Sequence, residues 1–438
     1  MTTAYINIWG KRVGAIAWDM DNQLGSFEFE PSFLRQNWDL APIKMQIAEA
    51  EGKVFSFADL RGNKTFKGLP GLLADVLPDK YGNTLINTWL AQHGRPQDSL
   101  NPVEMLCFIG ERGMGALEFE PVVPKASGKA TNIEIDGLVQ IAQEILSGRQ
   151  NFSANLKANE KKALMEILKV GTSAGGARAK ALIAYNLETG EVKSGQALAP
   201  KGFTYWLIKF DGVKDDQLSS GNSPLSSSSG YGRVEMAYYR MAVECGIEMT
   251  ECRLLEENGR AHFMTRRFDR IPGKGKLHVQ TFCAIQHYDF AQITSYSYEQ
   301  LFQTMRILRL SYPRMEQLFT RMVFNVIARN CDDHTKNFAF IMDRKGKWDI
   351  SPAYDLCHAY RPDSVWVSQQ SLSINGKRQG IKIQDFLDVA NQMNIRKAES
   401  IIDHVIHTVG KWLQYAAEQK VPDQISIAIN STLLVDIT

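Results

Sequence analysis

Apolar and polar positions alternate in short segments over the first part of the chain and recur at helical spacing over the last part. Alternation over Tyr5–Trp9, Arg12–Trp18 and Gly25–Glu30 predicts three strands, because successive strand side chains point to opposite faces. Pro78–Gln92 and Pro102–Gly110 read as helices, each opening on a proline whose missing N–H is harmless in a first turn. Ala116–Glu120 reads as a closing strand, and PVVPKASGKATN as a linker. Helical spacing returns over Ile133–Leu146 and Asn159–Leu168, before a glycine-rich turn at Gly171–Ala177 and strands at Ala181–Tyr185 and Tyr205–Phe210.

Between Asp211 and Tyr231 the run SSGNSPLSSSSGYG is too polar and too long to pack, so a mobile loop is expected there. A helix over Val234–Glu244 and a hairpin turning at Glu257–Gly259 follow. From Thr281 onward helices dominate: Tyr298–Leu308, Pro313–Ala328, Ile383–Met393 and Ile395–Glu418. One hairpin, Phe338–Met342 with Trp348–Ser351, interrupts them. The layout predicts an α+β chain in three segments: a strand–helix subdomain over 1–122, an α/β segment over 123–265, and a mostly helical segment over 266–438.

Composition narrows the function classes. A length of 438 residues exceeds one ordinary core, while 44% hydrophobic and 22% charged residues are globular values. A net charge of +2 excludes a protein whose main task is gripping nucleic acid, since no basic excess exists to neutralise phosphates. The six cysteines (Cys107, Cys245, Cys252, Cys283, Cys331 and Cys357) form no C-x-x-C pair, which excludes a zinc ribbon and fits reduced thiols. MTTAYINIWG lacks the features of a signal peptide, and no run reaches the roughly eighteen apolar residues of a membrane span, so a cytoplasmic protein is expected.

Candidate chemistry sits near the end of the helix over Pro313–Ala328. In Asp332-Asp333-His334-Thr335-Lys336-Asn337 an Asp precedes an Asn by five positions, the spacing of base and metal-binding amide in kinase catalytic loops. A hairpin follows, and Pro352-Ala353-Tyr354-Asp355 returns a second carboxylate; Asp and Asn oxygens suit a hard Mg²⁺ shared with phosphates. Alone, D-x-x-x-x-N reads rather as a polar turn ending a helix; the hairpin and Asp355 turn the reading toward a catalytic loop. Lys209 lies in the apolar strand Tyr-Trp-Leu-Ile-Lys-Phe, where it either meets an anion or snorkels to water. Glu235, early in the next helix, could pair with it, or be an exposed first-turn acid. The run Val170–Lys180 has small residues that admit phosphate close to backbone N–H groups, with Arg178 and Lys180 adding charge. It is neither a P-loop nor G-x-G-x-x-G. His404, His407 and His334 read as structural, Tyr238, Tyr239 and Trp366 as packed aromatics, and Met305, Met315 and Met322 as core.

Taken in order, FKGLPGLLADVLPDKYGN (66–83), GTSAGGARAK (171–180), YWLIKF, RRFDR (266–270), DDHTKNFAF (332–340), SPAYDL (351–356) and SLSINGK (371–377) resemble the motifs of HipA-family kinases. The resemblance spans nearly the whole chain. It implies a bilobed protein-kinase-like fold, with an α/β N-terminal lobe and a mostly helical C-terminal lobe, using ATP and Mg²⁺. It further implies Asp332 as catalytic base, Asn337 and Asp355 as Mg²⁺ ligands, and Lys209 on the ATP phosphates. Phe268 would lie by the adenine and Asp269 near the ribose. The loop residues Ala174, Gly175, Gly176 and Ala177, with Lys180, would surround the phosphates, and Ser173, next to Thr172, would be the autophosphorylated serine. Arg266 stands where the best-known member has a glutamate. By the same resemblance the chain would be a serine/threonine kinase toxin of a type II toxin–antitoxin module, acting on a translation component such as an aminoacyl-tRNA synthetase. A helix-turn-helix antitoxin dimer would bind it and carry the DNA contacts. Alternatives are a kinase with a non-toxin substrate and an inactive corepressor.

Overall fold

Trp9 and Gly10 both take positive φ, 50° and 77°, the mirror-image turn whose twist matches that of flanking strands. Strand β1 (Thr2–Ile8) therefore folds straight back on β2 (Lys11–Asp19). The computed structural model describes residues 2–36, 38–92, 94–121, 142, 179–195, 199–213, 230–271 and 275–438. Chain contacts group it into two compact units: residues 1–40, 45–232 and 251–278, and residues 41–44, 233–250 and 279–438. Strands and helices both contribute, so the fold class is α+β. The expected helices over 133–146 and 159–168, the glycine-rich loop and most of the Ser/Gly-rich segment lie outside the described residues.

In the first unit, β3 (Leu24–Phe29), β4 (Val54–Phe55) and β5 (Leu117–Glu120) complete an antiparallel sheet in the order β4-β3-β2-β1-β5. Ile6, Ile8, Val13, Ile16, Trp18 and Phe27 are buried in its core. After a single turn of helix, α1 (Gly71–Ala74), come α2 (Lys80–Gln92) and α3 (Pro102–Ile109). The α3 start is specified locally: Asn101 accepts from the N–H groups of Val103 and Glu104, and Glu104 reaches back to the Asn101 N–H. Helix α2 starts two residues after Pro78, because Asp79 Oδ1 caps it by accepting from the Gly82 N–H at 2.7 Å.

A second antiparallel sheet in this unit runs β7-β6-β8-β10-β9, from β6 (Lys180–Asn186), β7 (Val192–Ser194), β8 (Phe203–Lys209), β9 (Cys252–Glu257) and β10 (Arg260–Arg266). Its inner face, with Ala181, Ile183, Trp206, Ile208 and Met264, packs on Tyr81 and Leu85 of α2. Burying such β-branched and aromatic side chains contributes about 1.5–3 kcal/mol each.

The second unit takes α4 (Tyr231–Glu244) from Arg233 onward, then α5 (Phe282–Gln286), α6 (Tyr298–Ile307) and α7 (Tyr312–Ile327). After the hairpin Ala339–Met342 and Trp348–Ile350 come α8 (Ile383–Met393), α9 (Ala398–Val409), α10 (Trp412–Glu418) and α11 (Asp423–Asn430). The single helix expected over 395–418 is two, broken at Gly410, a poor helix former. The break lets the buried Trp412 donate its Nε1–H to the Ser426 carbonyl at 2.9 Å. Tyr238 packs as expected against Phe324 and Trp412, and its hydroxyl donates to the Ala328 carbonyl at 2.6 Å. Met305, Met315 and Met322 are core. Trp366 is not, with 50% of its surface exposed. His404 bonds to the Glu244 carbonyl at 2.8 Å, a structural role. Among the described residues no cysteine forms a disulfide, and no helix is long and apolar enough to cross a membrane.

Candidate active site

Helix α7 is buried from Leu318 to Ile327, largely through apolar side chains, which makes it a fixed mount for the chain that follows. The helix ends when Arg329 turns into the left-handed region, φ 56°. Asn330 and Cys331 then run beside Ala359: the Cys331 N–H donates to the Ala359 carbonyl at 3.0 Å, and the Ala359 N–H to the Arg329 carbonyl at 3.1 Å. Two segments far apart in sequence, one leading into Asp332 and one leading out of Asp355, are thereby stitched together.

Two successive aspartates have opposite environments. The Asp332 side chain is 49% exposed, with one oxygen 3.7 Å from His334 Nε2. Asp333 is fully buried. Its Oδ2 accepts from the Tyr298 hydroxyl at 2.7 Å and from Gln370 Nε2 at 3.1 Å, and its Oδ1 from the Ser371 N–H at 2.7 Å. Burial pushes its pKa up to about 7, against the pull of the Tyr298 hydroxyl and the Ser371 and Leu372 N–H groups. Tyr298 is held in turn by Asn325 Nδ2, and Asn325 Oδ1 by Asn330 Nδ2, both at 2.9 Å. Alternation along the loop thus points one carboxylate to solvent and anchors the other in a polar network.

Asn337 closes the loop, its Nδ2 donating to the Asp332 carbonyl at 2.6 Å. Because the amide nitrogen is committed there, the group presents its oxygen as the acceptor elsewhere. The hairpin after Asn337 returns the chain, and the Tyr354 hydroxyl donates to the Lys336 carbonyl at 2.8 Å. The chain neighbours of Asn337 and Asp355 are therefore in contact. Asp355 adopts φ 55°, a conformation that costs about 1–3 kcal/mol outside glycine and collects at functional sites. The fully buried Arg321, its pKa lowered to about 10 by burial, donates to the Ser351 carbonyl at 2.8 Å and steadies this return. The oxygen set of Asn337 and Asp355 fits Mg²⁺. His334 accepts from the Lys336 N–H at 3.2 Å, a structural role for its ring.

In the first unit Lys209 and Lys180 are cross-strand partners in the β6–β8 pairing and so project from the same sheet face. Like charges placed so repel unless anions accompany them. Lys180 has one built in: it is 2% exposed, with Nζ 3.4 Å from Asp79 Oδ2. The Lys180 ammonium thus has a carboxylate partner within the fold. Lys209 is half-buried, its ammonium 5.8 Å from the Phe263 ring centre. Glu235, in the second unit, is only 3% exposed, so it is not a solvated first-turn acid.

Asp269 is likewise paired within the fold. Its carboxylate is fully buried and accepts from Arg267 at 2.8 and 2.6 Å, from Arg270 at 2.6 Å and from the Gly115 N–H at 2.8 Å. Burial alone would raise its pKa, but the two guanidiniums and that N–H hold it below the usual range. Such a carboxylate ties together the loop it sits in. Phe268 beside it is half-buried, and Arg266 lies 3.9 Å from Glu251. Ser173 and Ala174, Gly175, Gly176 and Ala177 lie outside the described residues.

Residues that sequence reasoning did not single out complete the picture: Asp79, Tyr298, Asp333, Gln370 and Ser371. The motif SLSINGK contains Ser371, and its Asn375 and Lys377 are held by Asp385 of α8 at 3.0 and 2.8 Å, which fixes the motif beneath the loop.

Residues 4–120 match the HipA N-terminal domain, and residues 172–413 match the HipA-like C-terminal domain. The chain belongs to the HipA family. Its fold is similar to that of the HipA, HipB and operator DNA complex of the Shewanella oneidensis MR-1 toxin–antitoxin system, with a TM-score of 0.66 and 16% identity. That similarity covers 98% of this chain and 94% of the other. Two relatives from Sinorhizobium fredii (strain NBRC 101917 / NGR234), Y4dM and Y4mE, are named as candidate kinases. They are 25% and 24% identical over 34% and 30% of this chain. The chain spans only 42% and 34% of their lengths.

Proposed function

We propose that this HipA-family chain is an ATP- and Mg²⁺-dependent protein serine/threonine kinase of the toxin–antitoxin type. One observation carries the reading: the loop in which Asn337 locks onto the Asp332 carbonyl while Tyr354, next to Asp355, locks onto Lys336. This arrangement supports a solvent-accessible base, Asp332, beside two oxygen ligands, which is what phosphoryl transfer asks of a protein. Asp332 would accept the proton of the attacking hydroxyl. Asn337 and Asp355 would hold Mg²⁺, which when bound neutralises charge on the β- and γ-phosphates. Lys209 would contact the phosphates, with Glu235 as the carboxylate that steadies it, and Phe268 would lie by the adenine.

Ser173 would be the chain's own acceptor; a phosphate there adds about −1.5 to −2 charges where those of ATP belong and would shut binding off. The Shewanella relative was solved with HipB and operator DNA, which favours a helix-turn-helix antitoxin dimer as this chain's partner and only indirect contact with DNA. A translation component such as an aminoacyl-tRNA synthetase is the proposed target. Incubation of purified protein with labelled ATP, with and without Mg²⁺, tests the reading. Label should enter Ser173 and added protein acceptors only with Mg²⁺, and Ser173→Ala should retain transfer to others. Absence of both transfer and ATP binding in the dephosphorylated protein overturns it.

A further inference from the structure

Residues 360–369 form a loop whose two stems are both fastened to the segment carrying Asp332. At one stem Ala359 pairs with Arg329 and Cys331 through backbone bonds of 3.1 and 3.0 Å. At the other, Gln370 Nε2 donates to the Asn330 carbonyl at 3.3 Å and to Asp333 at 3.1 Å, and the Ser371 hydroxyl donates to the Cys331 carbonyl at 3.1 Å. The loop is also ordered within itself. The Arg361 N–H donates to the Val367 carbonyl at 3.1 Å, and Ser364 Oγ accepts from the N–H groups of Trp366 and Val367 at 3.2 and 3.3 Å. This internal scaffold holds Val365 and Trp366 outward, 77% and 50% exposed.

A tryptophan left in water at the tip of an ordered loop forfeits its burial free energy, and such residues are the usual anchors of protein interfaces. We infer that Val365 and Trp366 dock the protein substrate, gripping an apolar side chain in the exposed segment that offers its hydroxyl to Asp332. The occupant is set by continuity. A loop tied at both ends to the segment carrying the base stays at a fixed offset from it, so a segment gripped at the tip is held at a constant offset from the base as well. The loop's two charges, Arg361 and Asp363, offset each other, so it offers no basic excess to a phosphate-bearing partner. Two apolar side chains also fall short of the apolar face a membrane anchor needs.

The inference rests on the kinase reading, and the test separates the two. Full-length wild type, the double variant Val365→Ser/Trp366→Ser, and Trp366→Phe are compared with labelled ATP, Mg²⁺ and a soluble bacterial lysate as acceptor. The double variant should transfer roughly tenfold less label or worse, the scale of losing an interface tryptophan. It should keep the wild-type rise in melting temperature with ATP, and Trp366→Phe should recover most of the transfer. Equal transfer overturns the inference. So does loss of the ATP-dependent rise together with transfer, which would mark the loop as structural. A concentration-dependent dimer abolished by the double variant with transfer intact assigns the tip to a second copy instead, and also overturns it. Wild type that responds to ATP but labels no lysate protein removes the docked substrate while nucleotide binding stands. Wild type without any ATP response fails the kinase reading first.

Discussion

Replacing Asp333 by Asn tests whether the network under the catalytic loop is organised around a carboxyl of displaced pKa. Burial moves this group from 3.8 to about 7. A pKa raised on folding means that the folded state holds its proton more tightly than the unfolded one. The resulting stability is fully present below about pH 4 and is lost as pH rises through about 7. At about 1.4 kcal/mol per pKa unit, the swing is roughly 4 kcal/mol. Asn cannot titrate, so the variant lacks the swing altogether. Its N–H₂ faces the three donors Tyr298, Gln370 and Ser371 as the O–H of the protonated carboxyl does, so a mismatch of about 1–3 kcal/mol separates it only from the ionised wild type. Urea unfolding followed by far-ultraviolet circular dichroism at a series of pH values measures the gap between wild type and variant. Other titrating groups cancel in that difference. The wild-type advantage should be greatest near pH 4 and should shrink by up to roughly 4 kcal/mol by about pH 8. A gap that stays constant over that range refutes the argument, since it would mean that Asp333 titrates alike in the folded and unfolded chain.

Asp332→Ala should lower phosphoryl transfer by roughly 10²–10⁴ while leaving melting temperature and ATP affinity near wild type, as single-turnover kinetics and calorimetry can check. ATP with Mg²⁺ at about a hundredfold excess over its dissociation constant should stabilise the protein by roughly 2.7 kcal/mol; Lys209→Ala should blunt that effect in a thermal shift assay. Asp269→Ala should cost roughly 3–5 kcal/mol in denaturant unfolding, because Arg267 and Arg270 are left as buried charges without their shared carboxylate.

Elements with local causes were legible in the sequence. The alternation of β1 to β3 and the spacing of α6 to α8 located them to within a few residues. The spacing from Asp332 to Asn337 identified the loop, because a loop closed by one of its own amides is a short-range object. Long-range pairings were not legible. Asp333 meets Tyr298, Gln370 and Ser371 at separations of 35, 37 and 38 residues, and the doublet of aspartates does not say which one turns inward. The burial of Asp269 and Lys180 was not legible either, because an acid and a base in functional motifs are usually solvent-facing. Their partners, Gly115 and Asp79, lie in a different stretch of the chain. Trp366 was expected to pack because tryptophan usually does, and only the hydrogen bonds around Ser364 explain why it stays out.

Family similarity parts this chain between residues 120 and 172, yet its charges observe no such border. Lys180 finds its anion on Asp79. Asp269 and Arg270 find Gly115, and Lys276 finds Glu118 at 2.8 Å. For these groups the stretch before residue 121 does what water would otherwise do: it stabilises ions that the second sheet and its following loop have already removed from bulk solvent. An N-terminal deletion would therefore act less like the loss of a neighbour than like the transfer of several ions into a poorer solvent. A chain shortened in this way should be expected to rehydrate, by loosening, the strand that carries Lys180 and the loop that carries Asp269.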